Sequence, residues 1–344
     1  MSGWRIPLTK IDLGAEAEAA VVEVVRSNWL SMGPQTEAFE RAFDGIAVSS
    51  GTTALELAMQ ALGLGPGDEV IVPSLTFVAT VHAVLRCGAT PVFADGDPWL
   101  LPADVARRVT PRTRAVVAVH YAGVVRDMDA LRAAAPGCLL VEDAAHCPEM
   151  RTLHGDVACY SFYSNKNLAV GEGGAVRARD PDVAARVRLL RSHGMSATSW
   201  EKSQGRGRSY DVAAHGSNAR PVELSMALAR IQLARLPAAV ERRRALVERY
   251  RAALPDLDDR AGSHLIVVVL PHGADRDAVR AHLEGRGIET TVHYPPVHRF
   301  TAFDADVELP ETMRLAPRLL TLPLHPLLTE EEVDEVASTL KEVL

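Results

Sequence analysis

Cysteine is scarce in this sequence, and the few thiols present show no pattern of a metal centre. Four cysteines occur in 344 residues, and no two of them form a CxxC pair or a spacing typical of metal ligands. We therefore expect no bound metal. We expect the cysteines to be reduced and mostly buried thiols of a cytoplasmic protein. The four are Cys87, Cys138, Cys147 and Cys159.

Long apolar runs and an excess of positive charge are also missing. The longest uncharged stretch, residues 70–85, is shorter than the roughly 20 residues that span a bilayer. The N-terminus, MSGWRIPLTKIDLG, lacks the basic start and apolar core of a signal peptide. The formal net charge is −7, which argues against nucleic acid or an anionic membrane as a main partner.

Apolar runs of strand length alternate with helical patterns in the first two thirds of the chain. Most runs are continuously apolar and rich in Val and Ile, which is typical of strands buried on both faces. The alternation predicts an α/β fold with a mainly parallel sheet covered by helices. The predicted strands are 68–74, 90–95, 114–123, 138–146, 156–163 and 174–180, with helices at 53–62 and 126–135 among them.

The last third of the chain has a different character. A long helical pattern over 219–254, broken at Pro237, is followed by a strand at 264–270, a helix at 275–287 and a strand-like segment at 288–294. Thr329 is placed to N-cap a final helix that has acidic residues in its first turn. Because 344 residues exceed one ordinary domain, we predict a large domain, 1–235, and a smaller α+β domain, 236–344.

One candidate phosphate site opens the segment SSGTTALELAM (49–59). The N–H groups at a helix start and the nearby hydroxyls are able to hold a phosphate. A well-capped helix explains the same residues, because Ser and Thr favour that position. The segment is neither a Walker loop, since no GK[ST] follows, nor a GxGxxG fingerprint.

Two strand ends carry candidate catalytic groups. LLVEDAAH (139–146) places Asp143 and His146 after a buried strand, although a carboxylate there also commonly caps the next helix. Lys166 follows a similar strand 23 residues later, in the glycine-rich stretch SNKNLAVGEGG. An isolated lysine is usually solvated, but an accessible amine of lowered pKa forms an imine with an aldehyde. Pyridoxal phosphate requires such a lysine, an acid at its ring nitrogen, a phosphate cup and a wall against the ring, for which Phe77 is a candidate.

A series of segments extends this pattern over nearly the whole chain. They are LSMGPQTEAFE (30–40), SSGTTALELAM (49–59), PSLTFVATVHAV (73–84), EDAAH (142–146), YSFYSNKNLAVGEGG (160–174), RLLRSHGM (188–195), ALARIQLARL (227–236), GIETTVHYPPVH (287–298) and APRLLTLPLHPLLTEEEV (316–333). In this order they resemble the DegT/DnrJ/StrS family of aminotransferases, which have the aspartate aminotransferase fold, fold type I. The resemblance implies pyridoxal 5′-phosphate as cofactor.

The resemblance also implies individual roles around the ring. Lys166 would form the internal aldimine and later move the proton between the substrate carbon and the cofactor. Asp143 would pair with the pyridinium nitrogen, Phe77 would stack on the ring, and His146 would lie near the ring hydroxyl. Tyr294 and His298 match positions near the substrate. Glu172 has no role that we can derive.

The phosphate and the subunit arrangement follow from the same resemblance. The phosphate ligands would be Gly51, Thr52, Thr53 and Ser161, together with Asn218 reaching across from a second subunit. Such sharing implies an obligate homodimer. Segment 216–220 reads GSNAR where the family has GYNYR, and three stretches near 43–47, 149–155 and 254–264 are shorter than usual, which affects the substrate more than the chemistry. The dehydratase branch of the family replaces the lysine by histidine, and Lys166 argues against that branch.

The expected function is a cytoplasmic aminotransferase that works by two half-reactions. Glutamate or glutamine would donate the amino group, and a nucleotide-linked keto-deoxysugar is the expected acceptor. A cyclitol or another non-nucleotide ketone is the first alternative. Another pyridoxal phosphate reaction, such as elimination, and a non-catalytic cofactor-binding protein are the others. Neither nucleic acid nor a membrane is expected as a partner.

Overall fold

A seven-stranded sheet dominates the computed structural model, which describes residues 3–150, 152–205 and 209–344. Its strands are β1 (Ile46–Val48), β2 (Glu69–Pro73), β3 (Thr90–Ala94), β4 (Thr113–Val119), β5 (Leu139–Asp143), β6 (Val157–Ser161) and β7 (Gly174–Ala178). Their order is β1-β7-β6-β5-β4-β2-β3. The pairs from β3 to β6 are parallel, and β7 is antiparallel to both its neighbours. The predicted α/β class with a mainly parallel sheet is confirmed.

Helices cover both faces of this sheet. Successive side chains of a strand point to opposite faces, and Val70 and Ile71 of β2 accordingly belong to different apolar clusters. The helices are α1 (Gly14–Arg26), α2 (Pro34–Phe43), α3 (Gly51–Ala61), α4 (Ala79–Arg86), α5 (Pro102–Arg108), α6 (Met128–Ala134), α7 (Pro181–Arg191), α8 (Ser199–Ser203), α9 (Glu223–Ala253), α10 (Arg276–Gly285), α11 (Pro310–Leu315) and α12 (Glu330–Lys341). The continuous apolar runs predicted from sequence are explained by this burial on both sides.

Helix α9 runs for 31 residues through Pro237, where the sequence predicts a break. Proline inside a helix costs about 3 kcal/mol because one backbone hydrogen bond is lost. Packing offsets that cost on both sides: Leu233 and Leu236 are buried in the apolar cluster beneath β6 and β7, and Leu246 and Tyr250 in the cluster around the smaller sheet. The prediction of a break is therefore wrong. The division at residue 235 falls inside α9 and stays a prediction.

The smaller sheet has three antiparallel strands in the order β10-β9-β8. They are β8 (Asp258–Asp259), β9 (Ile266–Val269) and β10 (Leu319–Leu322). The strand predicted over 288–294 is wrong, since this segment forms only isolated bridges from Ile288 and Thr291. The chain instead leaves the small sheet through Pro295 and Pro296 and reaches the large one, where the Val297 N–H donates to the Ser74 carbonyl. This path carries residues 293–298 toward the large sheet.

Thr329 N-caps α12 by accepting a hydrogen bond from the Glu332 N–H, as predicted. Short 3₁₀ turns occur at Tyr121–Gly123, Val297–Arg299 and Ala316–Arg318. The four cysteines are unpaired. Within the described ranges, no helix combines the length and apolar character needed to span a membrane.

Candidate active site

A cavity of about 480 Å³ lies at the carboxyl ends of β5 and β6. Ligands of open α/β sheets bind at this edge. Most of the predicted site residues line it, namely Gly51, Thr52, Phe77, Asp143, His146, Ser161, Lys166 and Tyr294. The structure therefore gathers residues that are separated by more than 240 positions in the chain.

Asp143 is the last residue of β5, and its carboxylate is held from two sides. Oδ2 accepts a 2.8 Å hydrogen bond from the Thr80 hydroxyl, and Oδ1 accepts one of 3.2 Å from the Ala145 N–H. Burial raises the pKa of Asp143, while the Thr80 bond, the Ala145 bond and the charge of Lys166 oppose the shift. A carboxylate fixed in this way can pair with a cationic ring nitrogen.

Lys166 lies in the turn after β6, where its N–H donates to the Tyr163 carbonyl. Its side chain lines the cavity and is half-buried. Burial lowers the pKa of Lys166 from 10.5 to about 8, against the opposing charge of Asp143. An amine of this kind is partly unprotonated near neutral pH and can act as a nucleophile.

The start of α3 and the end of β6 form a recess in the cavity wall. Ser50 caps α3 by accepting the Thr53 N–H, and the Thr53 hydroxyl accepts the Ser50 N–H in return. Thr53 is thus committed to the helix cap, whereas Gly51 and Thr52 line the cavity. A Cβ atom added to Gly51 would lie 2.6 Å from Cβ of Ser161, so only glycine fits this approach. The recess suits an anion at a helix N-terminus.

The strand order explains why these segments meet. β7 lies between β1 and β6, with Gly174 paired to Val48 on one side and to Ser161 on the other. Because β7 is antiparallel to both, β1 and β6 run in the same direction, and the chain leaves both at the same edge. Helix α3, which follows β1, therefore begins beside Ser161.

The imidazoles of His146 and His293 and the phenol of Tyr294 form another part of the cavity wall, and His264 packs behind His146. The His146 Nε2 lies 3.1 Å from the Tyr294 hydroxyl, and the rings of His146 and His264 are 4.4 Å apart. Burial and the charge of Lys166 lower the pKa values of His146 and His264 well below the usual range, and lower that of His293 to about 3. All three imidazoles are therefore neutral at physiological pH.

Some cavity residues were not predicted from the sequence. His293 and Asn165 line the cavity, and only their proximity in sequence to Tyr294 and Lys166 could have indicated it. Glu172 also lines the cavity and is exposed. Phe77 lies at the mouth with 57% of its surface exposed, a position open to a ligand rather than one of core packing.

Besides Thr53, two further predicted site residues, His298 and Asn218, do not line the cavity. His298 is 1% exposed, with Nδ1 2.6 Å from the Ser74 hydroxyl, and it does not line the cavity. Asn218 is exposed next to a bridge between its own backbone and Ser192, also away from the cavity of its own chain. In the described part of the chain, no group of three or more His, Cys, Asp or Glu side chains is arranged to hold a metal ion.

Comparison with known proteins agrees with this geometry. The sequence pattern of the DegT/DnrJ/EryC1/StrS aminotransferase family matches residues 11–341. The spore coat polysaccharide biosynthesis protein SpsC of Bacillus subtilis (strain 168) is 36% identical over 99% of this chain and 96% of its own. The dTDP-4-dehydro-2,3,6-trideoxy-D-glucose 4-aminotransferase of Saccharopolyspora spinosa is 36% identical over 94% of this chain and 93% of its own.

Solved structures show the same fold. The putative sugar aminotransferase Spr1654 from Streptococcus pneumoniae, solved in pyridoxal phosphate and pyridoxamine phosphate forms, matches with a TM-score of 0.91 at 27% identity over 98% of this chain and 98–99% of its own. The predicted fold type I architecture and cofactor are confirmed by these neighbours. Because the family pattern covers most of the chain, the protein belongs to the DegT/DnrJ/EryC1/StrS aminotransferase family and is a pyridoxal-phosphate-dependent aminotransferase.

Proposed function

We propose that this aminotransferase transfers an amino group from glutamate or glutamine to the ketone of a nucleotide-linked keto-deoxysugar. The product would serve the biosynthesis of an antibiotic, a polysaccharide or another specialised metabolite. Two relatives, each 36% identical over most of the chain, support this class of substrate. One is a dTDP-keto-deoxysugar 4-aminotransferase, and the other is a polysaccharide biosynthesis protein. The cavity observation that carries the proposal is the shared position of Lys166 and Asp143 at one sheet edge.

In our proposal, the residues that line the cavity hold pyridoxal phosphate. When bound, the cofactor supplies an electron sink for the carbanion that forms next to nitrogen. Lys166, with its lowered pKa, would hold the cofactor at its aldehyde and carry the proton at the substrate carbon. Asp143 would pair with the ring nitrogen, and Phe77 would cover one ring face. Tyr294 faces the substrate, whereas His298, behind Ser74, remains a sequence prediction for that role.

The phosphate is proposed to occupy the recess at the start of α3. Gly51 and Thr52 offer backbone N–H groups at a helix N-terminus, where partial positive charge favours an anion. Ser161 adds a hydroxyl beside them. Thr53 stabilises the recess through the helix cap, and its direct contact with phosphate remains a sequence prediction.

A homodimer with shared active sites is part of this proposal. Among the described lining residues, Lys166 is the only lysine and no arginine is present, although the cofactor, the amino donor and a nucleotide sugar are all anionic. The side chains of Leu30 and Val222 are 51% and 50% exposed, and the bridge between Ser31 and Val222 joins their two segments. These exposed apolar side chains support the proposal that a second subunit covers this surface. Asn218 is exposed and free to reach a second cavity.

Complementation between two inactive variants tests the shared sites. Lys166→Ala and Asn218→Ala are each expected to lose most activity. When equal amounts of the two variants reassociate at random, about half of the dimers are mixed. In a mixed dimer, one of the two sites has both native residues. About a quarter of the wild-type activity should therefore return. No recovery after proven subunit exchange would contradict the sharing of Asn218.

The acceptor is tested in a single turnover. The pyridoxamine form of the enzyme is mixed with dTDP- or UDP-4-keto-6-deoxyhexose, and separately with scyllo-inosose, while the cofactor absorbance is followed. The proposal expects a nucleotide sugar to restore the pyridoxal absorbance. Restoration by scyllo-inosose alone would establish the cyclitol alternative instead.

Two further alternatives have their own tests. Product analysis separates amino transfer from another pyridoxal phosphate reaction such as elimination. Lys166→Ala separates an enzyme from a non-catalytic cofactor-binding protein, because only an enzyme loses its biological activity with the amine. We expect loss of both the visible cofactor band and amino transfer in this variant.

A cytoplasmic location is also proposed. It is supported by the four unpaired cysteines, three of which are buried, since free thiols are typical of reducing compartments. Labelling of the native protein in intact cells with a membrane-impermeant thiol reagent, compared with lysed cells, tests this location through the half-buried Cys87.

A further inference from the structure

Both ring nitrogens of His146 are engaged inside the chain. Nδ1 accepts a 3.2 Å hydrogen bond from the Ala122 N–H, and Nε2 lies 3.1 Å from the Tyr294 hydroxyl. A backbone N–H can only donate, so Nδ1 carries no proton, and a neutral imidazole then carries its proton on Nε2. His146 is 4% exposed, and burial together with the charge of Lys166 lowers its pKa, which keeps the ring neutral.

This tautomer determines what the Tyr294 hydroxyl can do. The His146 Nε2–H donates to the phenol oxygen, so the proton of the phenol is left for another acceptor. Within the described residues, the Tyr294 hydroxyl forms no second hydrogen bond. Burial and the charge of Asp143 raise the pKa of Tyr294, so the phenol keeps its proton. Tyr294 and Lys166 line the same cavity.

The surroundings of His146 hold its ring in this orientation. The ring of His264 packs against it at 4.4 Å, and His264 is fixed in turn by a 3.1 Å hydrogen bond between its Nδ1 and Oδ1 of Asn167. Direct contact between His146 and a cofactor hydroxyl would require one of its two hydrogen bonds to break. Because both ring nitrogens are occupied, the polar link from His146 to the cavity runs through the Tyr294 hydroxyl.

We propose that His146 is a positioning residue that acts through Tyr294: its Nε2–H makes the Tyr294 hydroxyl a hydrogen-bond donor to the carbonyl oxygen of the keto acceptor. A donor at this oxygen polarises the carbonyl for attack by an amine. The inference rests on the proposed function, because it assumes a ketone substrate in this cavity. It adds a specific direction to the hydrogen bond between the two side chains.

Three variants separate this role from a general structural one. His146→Gln retains an amide oxygen for the Ala122 N–H and an amide N–H for Tyr294, whereas His146→Leu retains neither. Tyr294→Phe removes the donor itself. We expect His146→Leu and Tyr294→Phe each to slow the acceptor half-reaction about tenfold or more, the order associated with one hydrogen bond. His146→Gln should keep at least about a third of the wild-type rate.

The double variant supplies the decisive comparison. If His146 acts through Tyr294, His146→Leu adds less than about twofold to the effect of Tyr294→Phe. Multiplication of the two single effects, or full activity of His146→Leu, would overturn the inference. Lys166→Ala serves in the same assay to separate the hypotheses: an inactive Lys166→Ala with an unaffected His146→Leu rejects only the role of His146, whereas an active Lys166→Ala rejects the proposed function.

The tautomer can be measured without activity. In protein labelled with ¹⁵N-histidine, with and without bound cofactor, the His146 resonances are assigned by their disappearance in His146→Gln. We expect an unprotonated Nδ1 and a protonated Nε2. A protonated Nδ1 would overturn the inference even if His146→Leu failed to fold.

Discussion

The Thr80 hydroxyl donates to Oδ2 of Asp143 at 2.8 Å, from the first turn of α4 to the end of β5. This bond opposes the rise in the pKa of Asp143 that burial causes. In Thr80→Val the pKa should rise further, because the ionised carboxylate loses a hydrogen bond that stabilises its charged form. Cofactor affinity, measured by visible absorbance against pH, should then begin to fall at a higher pH as the solution is acidified. Thr80→Ser retains the hydroxyl and should match the wild type; an unshifted profile in Thr80→Val would contradict the assignment.

Lys166 predicts an unusual dependence of stability on pH. Its pKa is lowered from 10.5 to about 8 in the folded state, so between these values the unfolded chain binds a proton that the folded protein has lost. Stability of the cofactor-free protein from this group therefore rises with pH over that range, by at most about 3 kcal/mol because the side chain still contacts cavity solvent. Lys166→Met should lack the rise. Urea unfolding of both proteins at pH 7 and pH 10 measures the difference, and parallel pH profiles would contradict a lowered pKa.

Adjacent threonines at the start of α3 should behave differently. Thr53 completes the capping box with Ser50, so Thr53→Ala should lower the free energy of unfolding by about 1 kcal/mol. Thr52 lines the cavity, and Thr52→Ala should weaken cofactor binding about tenfold with little effect on stability. Thermal unfolding of the cofactor-free proteins and cofactor titration are compared for the two variants. The reverse assignment of effects would place the phosphate contact at Thr53.

Glu142 is a buried carboxylate whose removal should damage the fold. It accepts hydrogen bonds from the Gly155 and His154 N–H groups and from Nε2 of His120, and these bonds hold its pKa below the ordinary value despite burial. Glu142→Ala should cost about 3–5 kcal/mol, because the buried His120 ring and the buried Gly155 N–H are left unsatisfied. The exposed Glu308→Gln should stay within about 0.5 kcal/mol. Denaturant unfolding above pH 5 measures both, since the contribution of a lowered carboxyl pKa is lost only on acidification.

Much of the fold was predictable from local patterns. Continuous Val and Ile runs predicted the parallel strands because the inner positions of β2 and β4 are buried on both faces of the sheet and are apolar. Asp143 and Lys166 could be placed at one edge because adjacent parallel strands end together. The helix cap at Thr329 follows from local hydrogen bonds alone.

Long-range pairing was less accessible. The position of β1 beside β7, which carries Gly51 to Ser161, depends on sheet order and has no local signature. The segment 288–294 has a strand-like composition, but it pairs only through isolated bridges at Ile288 and Thr291 before the chain reaches Ser74. Pro237 predicts a helix break that packing on both sides overcomes. The inward position of His293 likewise depends on how the two sheets meet.

Pro237 is also expected to affect where helix α9 bends. Proline has no N–H to donate to the carbonyl four residues earlier, so α9 is weakest at this point. Helix α9 is anchored in the large-sheet cluster as far as Val240 and in the small-sheet cluster from Leu246, so any rotation of the small sheet relative to the large one is expected to bend α9 between Pro237 and Leu246. A hinge at that position would widen or narrow the gap between Tyr294, on the segment that leaves the small sheet, and Phe77, on the large one, whose rings are now 6.2 Å apart.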